Sequence, residues 1–254
     1  MLIVISPAKK LDYDTPVNSK KFTMPDFLDD SQQLITTLRK YSAMDLAELM
    51  HLSMNLAELN FDRYYHWKKD YGQDEAKQAL LAFKGDVYAG MDAESFNQKD
   101  LDFAQSHLRI LSGLYGLLRP LDLMMPYRLE MGTRLENERG KNLYEFWGET
   151  ITDALNKQLK AQKDDILINL ASNEYFKSVK PKLLQGRIIT PQFKEFKNGQ
   201  YKMIGIYAKK ARGLMSRYIL LNRLKNPDDI KQFDSEGYQY NAELSKGDNW
   251  VFTR

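Results

Sequence analysis

Two short, unbroken apolar runs do most to limit what this chain can fold into. They are Leu2-Ile3-Val4-Ile5 at the start and Ile166-Leu167-Ile168-Asn169-Leu170 two-thirds of the way along. Both are short, rich in branched aliphatic residues and without alternation. That is the pattern of a strand covered on both faces. Ile188-Ile189-Thr190 and Trp250-Val251-Phe252 read as further strands. The sheet therefore draws on both ends of the chain, with a long helical block inserted between. This predicts an α+β fold: a single mixed α/β domain over residues 1–254 with a central sheet. Hydrophobic residues make up 43% of the 254, with 15 Tyr and 12 Phe, enough for a substantial core.

Within the block, periodicity predicts helices over about 31–41, 44–51, 54–68, 74–81, 98–118 and 143–159. Residues 82–88 read as a short strand or turn closed by Gly90. Asn198-Gly199, flanked by Phe193 to Lys197 and Gln200 to Tyr207, is the signature of a type I′ hairpin. A helix should follow from Ala208 to about Arg223.

Leu111-Ser112-Gly113-Leu114-Tyr115-Gly116-Leu117-Leu118-Arg119-Pro120 has the spacing of a helix-hairpin-helix turn. Glycines allow a tight turn and a close backbone approach. Pro120 suits the first turn of a second helix. Free amides at such a helix start can bind a phosphate, as in a DNA backbone read without regard to sequence. The same spacing also serves as a plain packing turn. Arg119, Arg128 and Arg134 nearby could extend a basic track.

The charge is unevenly spread. Phe196 to Pro227 holds Lys197, Lys202, Lys209, Lys210, Arg212, Arg217, Arg223 and Lys225 and no acidic residue. That segment carries +8 against +3 for the whole chain, so the remainder is acidic at −5. A single-sign block suggests a polyanion-binding face; a solvated helix face is the alternative. On a helical wheel, Lys209, Arg212, Ser216 and Arg223 form a stripe beside Gly213, next to an apolar side of Ala208, Ala211, Met215, Tyr218 and Ile219.

The two apolar runs end in polar residues: Ser6 and Lys9 after the first, Ser172, Asn173, Glu174 and Lys177 after the second. Sites in open sheets collect outside the carboxyl ends of strands. These six residues are a candidate cleft for a small anionic ligand or a proton transfer, or simply loop polarity. The chain has no Cys and three His (His51, His66 and His107) without metal-ligand spacing. No metal site and no cofactor are expected. GxGxxG, Walker and Gly-x-Ser-x-Gly motifs are absent. Neither a signal peptide nor a membrane span is evident, which points to a cytoplasmic protein.

Several blocks together resemble a known family. They are Ile5-Ser6-Pro7-Ala8-Lys9, Phe83-Lys84-Gly85-Asp86-Val87-Tyr88, the double-glycine turn with Leu121-Asp122, and Pro126-Tyr127-Arg128-Leu129-Glu130-Met131-Gly132. Asn169-Leu170-Ala171-Ser172-Asn173-Glu174-Tyr175-Phe176, Tyr207-Ala208-Lys209-Lys210-Ala211-Arg212-Gly213 and Ser235-Glu236-Gly237-Tyr238 complete the set. To about Tyr240 the chain is similar to the bacterial peroxide stress proteins of the YaaA family. The resemblance implies an α/β domain of unusual topology with a helix-hairpin-helix element and a DNA-binding basic cleft. It also implies a role in the peroxide response that lowers unincorporated intracellular iron.

Carried onto this sequence, the hairpin falls on Gly113 and Gly116, and the basic block on Lys209, Lys210, Arg212 and Arg217. Helix-hairpin-helix glycosylases place a catalytic Asp about twenty residues beyond the turn. That region holds Glu130, Glu136 and Glu138 but no Asp, so the motif argues for binding and not base excision. The expected function is sequence-independent binding of double-stranded DNA through Gly113, Gly116, Arg119, Arg128, Lys209, Lys210, Arg212, Ser216, Arg217 and Arg223. The alternative is an enzyme acting on a nucleotide or other small anion at the strand-end cleft.

Overall fold

A computed structural model describes residues 1–17 and 19–254. The predicted buried strands form its centre. β1 (Leu2–Ile5) pairs in parallel with β2 (Leu108–Ser112) on one side and β4 (Ile166–Leu170) on the other. All four residues of β1 are 0% exposed, as expected of a strand covered on both faces. Beyond β4 lie β5 (Arg187–Lys197) and then β8 (Asn249–Thr253), both parallel to their inner neighbours. Antiparallel strands close the two edges: β3 (Gly116–Leu118) on β2 and β7 (Gln239–Lys246) on β8. β6 (Gln200–Lys202) pairs with the outer end of β5. The spatial order is β7-β8-β5-β4-β1-β2-β3. A mixed α/β fold around a central sheet is what the sequence predicts; the mostly parallel pairing of that sheet is what the structure adds.

The helical block comprises α1 (Leu28–Leu38), α2 (Ala43–Met50), α3 (Met54–His66), α4 (Asp86–Met91) and α5 (Gln98–His107). After β3 come α6 (Leu143–Trp147) and α7 (Thr150–Gln162), then α8 (Asn173–Phe176) and α9 (Gly205–Leu221). The predicted continuous helix over 143–159 is broken at Gly148, whose φ is +49°. The predicted helix over 74–81 shrinks to one turn, Ala79–Ala82, preceded by a two-residue strand.

The helix-hairpin-helix expectation is corrected. α5 ends at His107, and the chain continues as strand β2, turns through Gly113-Leu114-Tyr115 and returns as β3. The double-glycine segment is thus a β-hairpin, and Pro120 opens no helix. The physical reason is burial. Leu108 to Leu118 is buried without a break, so both faces of the hairpin are covered by protein. A run of this kind has no helical or strand period to read. A helical hairpin occurs elsewhere: α2 and α3 pack together across His51-Leu52-Ser53, where His51 adopts a left-handed φ of +53°.

Candidate functional site

The strand-end cluster is assembled by the topology. The chain leaves β1, builds β2 on one side, and only later builds β4 on the other. The carboxyl ends of β1 and β4 therefore flank a switch point, where open parallel sheets leave a crevice. There the Ser172 amide donates to Ser6 Oγ at 2.8 Å, and the Ser6 hydroxyl to Ser172 Oγ at 3.2 Å. The Tyr88 hydroxyl, on α4, donates to the Ser6 carbonyl at 3.1 Å. Burial raises the Tyr88 phenol well above its ordinary value, so it stays protonated as the donor.

One loop, Tyr127 to Gly132, closes over these ends. Its Glu130 bridges two cations: Oε2 lies 2.7 Å from Lys9 Nζ and Oε1 lies 3.0 Å from Arg128 Nη2. Its Gly132 amide donates to Glu174 Oε1 at 3.0 Å. Pro7, Ala8, Lys9, Tyr127, Arg128, Leu129, Glu130 and Tyr175 line a narrow cleft there, with room for about one water beside the Glu130 carboxylate. Ser6, Lys9, Ser172 and Glu174 are therefore brought together around one loop. Asn173 is exposed at the start of α8. Lys177 sits at the margin, with its ammonium 4.9 Å over the Tyr144 ring. Glu130 and the loop that carries it are absent from the six residues singled out by sequence. Strand-end polarity marks residues next to strands, and this loop comes from elsewhere in the chain.

The ten residues expected to bind DNA are dispersed. Gly113 and Gly116 are buried. A Cβ on Gly113 would lie 2.2 Å from the Leu129 carbonyl oxygen, and one on Gly116 2.7 Å from the Trp147 ring. Both glycines serve close packing, and no phosphate can reach them. Ser216 is 0% exposed, and its hydroxyl donates to the Arg212 carbonyl at 2.8 Å. Arg119 is held by Asp122 at 2.9 Å and Asp26 at 3.2 Å. Arg217 donates to the carbonyls of Met91 and Asp92, Arg223 pairs with Asp100, and Lys210 pairs with Glu236. Ser216 and Arg223 of the stripe face protein, where α9 crosses α4 at touching distance, while Lys209 at its start stays exposed. A Cβ on Gly213 would fall 1.8 Å from the Val87 carbonyl, and one on Gly90 2.2 Å from that of Lys210. Gly90 therefore closes no strand; it lies within α4 at this crossing.

What stays uncommitted is the β5–β6 hairpin and the start of α9. The hairpin turns at Asn198-Gly199 with φ of +53° and +78°, as the type I′ signature predicts. Lys197, Lys202, Lys209 and Lys225 are exposed and have no carboxylate within 4 Å among the described residues. Arg212 is half-buried and likewise unpaired; desolvation holds its guanidinium below its ordinary value. Phe196, Tyr201 and Tyr207 are interleaved with these cations and are 61%, 41% and 45% exposed.

Among the described residues, no three His, Asp or Glu side chains converge as metal ligands. No described helix is long and apolar enough to cross a membrane. Residues 1–244 match the family described as peroxide stress protein YaaA. A protein of Colwellia psychrerythraea (strain 34H) described as "UPF0246 protein" is 59% identical over all 254 residues and 99% of its own length. On both grounds, this chain belongs to the peroxide stress protein YaaA family.

Proposed function

We propose that this protein acts in the peroxide response by binding DNA without sequence preference, through the β5–β6 hairpin and the start of α9. The observation that carries this reading is the unpaired set Lys197, Lys202, Lys209 and Arg212 in a segment with no acidic residue. Cations without internal carboxylates are the ones free to displace counterions from a phosphate backbone. The exposed Phe196, Tyr201 and Tyr207 add faces on which bases can stack irrespective of sequence. Lowered unincorporated iron is then an effect of the response and not of coordination, since His is scarce and Cys absent. Titrating duplex DNA at several salt concentrations tests this. With about four phosphates neutralised, log K should fall with log salt at a slope of roughly −4. A slope near zero, or no binding at low salt, overturns the reading.

The Ser6–Ser172 pairing favours a second reading, a small-anion site at the switch point of the sheet. It needs none of the hairpin cations. Asn173→Ala, exposed at that crevice, should weaken binding of a small anion and leave DNA binding unchanged.

A further inference from the structure

Glu130 is a carboxylate shared between two cations, and the groups around it carry more positive charge than it can satisfy. Lys9 and Arg128 both pair with it, at 2.7 and 3.0 Å. Arg128 Nε is buried and has no hydrogen-bond partner. A third cation stands behind them. Arg63, on α3, has no carboxylate within 4 Å among the described residues, and its one side-chain bond is a long 3.3 Å contact to Asn60 Oδ1. The Tyr64 hydroxyl donates to the Arg128 carbonyl, which fixes α3 against the loop. Burial holds the Arg63 guanidinium below its ordinary value, and the positive charge of Arg128 adds to that in the same direction. A partly buried guanidinium without an anion is costly to keep.

Lys9, Arg128 and Arg63 outnumber the carboxylates of Glu130 and Glu174 by one, which leaves an excess of positive charge around the cleft at the switch point. Guanidinium groups match the planar faces of a phosphoryl group, and a lysine adds a point charge. Glu130 then occupies the place that the ligand's oxygens would take.

We propose that this cleft binds a phosphate monoester group, held by Lys9 and Arg128 with Arg63 adding its field, and that Glu130 is the internal stand-in the ligand displaces. The inference rests on the second reading above and names its ligand class and its cationic residues. The same chemistry can come from free phosphate or from a nucleotide. A phosphodiester carries one charge per group and has no terminal dianion to fill the site.

The test is calorimetric titration of the full chain, at low ionic strength, with inorganic phosphate and separately with a nucleoside 5′-monophosphate. Wild type should bind saturably at one site. Arg128→Gln should weaken binding at least about tenfold, the scale of one charged hydrogen bond; Arg63→Gln should weaken it by a smaller factor. Glu130→Gln should tighten it, because the competitor is removed while the cations remain. That gain separates the proposal from a merely structural ion pair, whose loss would loosen the loop and weaken binding. If Arg128→Gln does not fold, Arg63→Gln and Glu130→Gln carry the decision.

Equal affinities for the two probes would mean that phosphate alone is recognised. Tighter nucleotide binding would mean that the base or sugar adds contacts. No saturable binding of either probe overturns both this proposal and the small-anion reading. Binding weakened by Asn173→Ala, unchanged in Arg63→Gln and not tightened in Glu130→Gln overturns this proposal alone.

Discussion

Gly116 and Gly199 occupy the same kind of position, each at positive φ in a β-hairpin, at +67° and +78°. Their surroundings differ. A Cβ on Gly116 would lie 2.7 Å from the Trp147 ring; one on Gly199 would meet nothing within 4 Å. The first hairpin is sealed in the core, where the Tyr115 amide donates to Ser112 Oγ at 2.9 Å and the Trp147 indole to the Gly113 carbonyl at 3.0 Å. The second stands in solvent with Lys197, Gln200, Tyr201 and Lys202 around its tip. A glycine in a turn reports backbone shape only. Whether the turn packs or binds is decided by its flanks: leucines and a buried tyrosine in one case, lysines in the other.

Gly116→Val tests the buried side of this contrast and should have the largest effect. It places a branched side chain inside the Trp147 ring contact and in a left-handed conformation. Overpacking costs about 1–3 kcal/mol and the conformation another 1–2. A loss of roughly 3 kcal/mol or more should appear in the urea midpoint. A loss under about 1 kcal/mol would mean that the hairpin opens away from Trp147, and the packing role assigned to the glycine would fail.

The polar turn built on Asp12 lies between these extremes. Buried Asp12 accepts from the Thr15 amide at 2.9 Å, the Thr15 hydroxyl at 2.8 Å and Lys84 at 3.0 Å. Those bonds hold its carboxyl well below the usual carboxylate range. Because the folded value is depressed, its stabilisation is full above the unfolded value of about pH 4. It is lost as pH falls towards the folded one. Urea midpoints measured from pH 6 downwards should fall with acidity, and less steeply in Asp12→Asn. Parallel profiles in the two proteins would sink the assignment.

The central sheet was legible because β1, β4 and β8 are short apolar runs with no competing helical period. The Asn198-Gly199 hairpin was legible because its turn type demands those residues. The 108–118 segment reads as a helix and turn in the sequence because a fully buried run carries no period, and its one charged residue, Arg109, is buried as well. In the fold Arg109 is 5% exposed and bonded to Gln158 at 2.6 Å. At the site, Ser6, Lys9, Ser172 and Glu174 were legible from strand-end polarity. Arg63 and Glu130 were not, since their nearness depends on α3 and the 127–132 loop meeting in space. The far half of the basic stripe of α9, Ser216 and Arg223, failed for a related reason. A helical wheel shows which residues share a side, while only Gly90 and Gly213 together reveal that α4 covers it.

Gly199→Ala should cost far less than Gly116→Val. With open space around it, only the left-handed conformation is penalised, by about 1–2 kcal/mol. A larger loss in urea unfolding would show that the exposed turn packs against something after all.

The smallest effect on stability, and the sharpest on binding, belongs to Lys197→Ala combined with Lys202→Ala. Both side chains are exposed and unpaired, so the urea midpoint should move by no more than about 0.5 kcal/mol in free energy. Each phosphate contact removed flattens the salt dependence of DNA binding by about one unit. The double variant should therefore show a slope shallower by roughly two, with affinity lost evenly across sequences. The control is Arg217→Ala, which removes a cation already committed to the Met91 and Asp92 carbonyls. That change should lower stability and leave the slope alone. If the two variants exchange behaviours, with the committed arginine setting the slope and the free lysines leaving it untouched, binding does not follow from which cations lack internal partners. The contrast between the sealed and the exposed hairpin would then describe packing only.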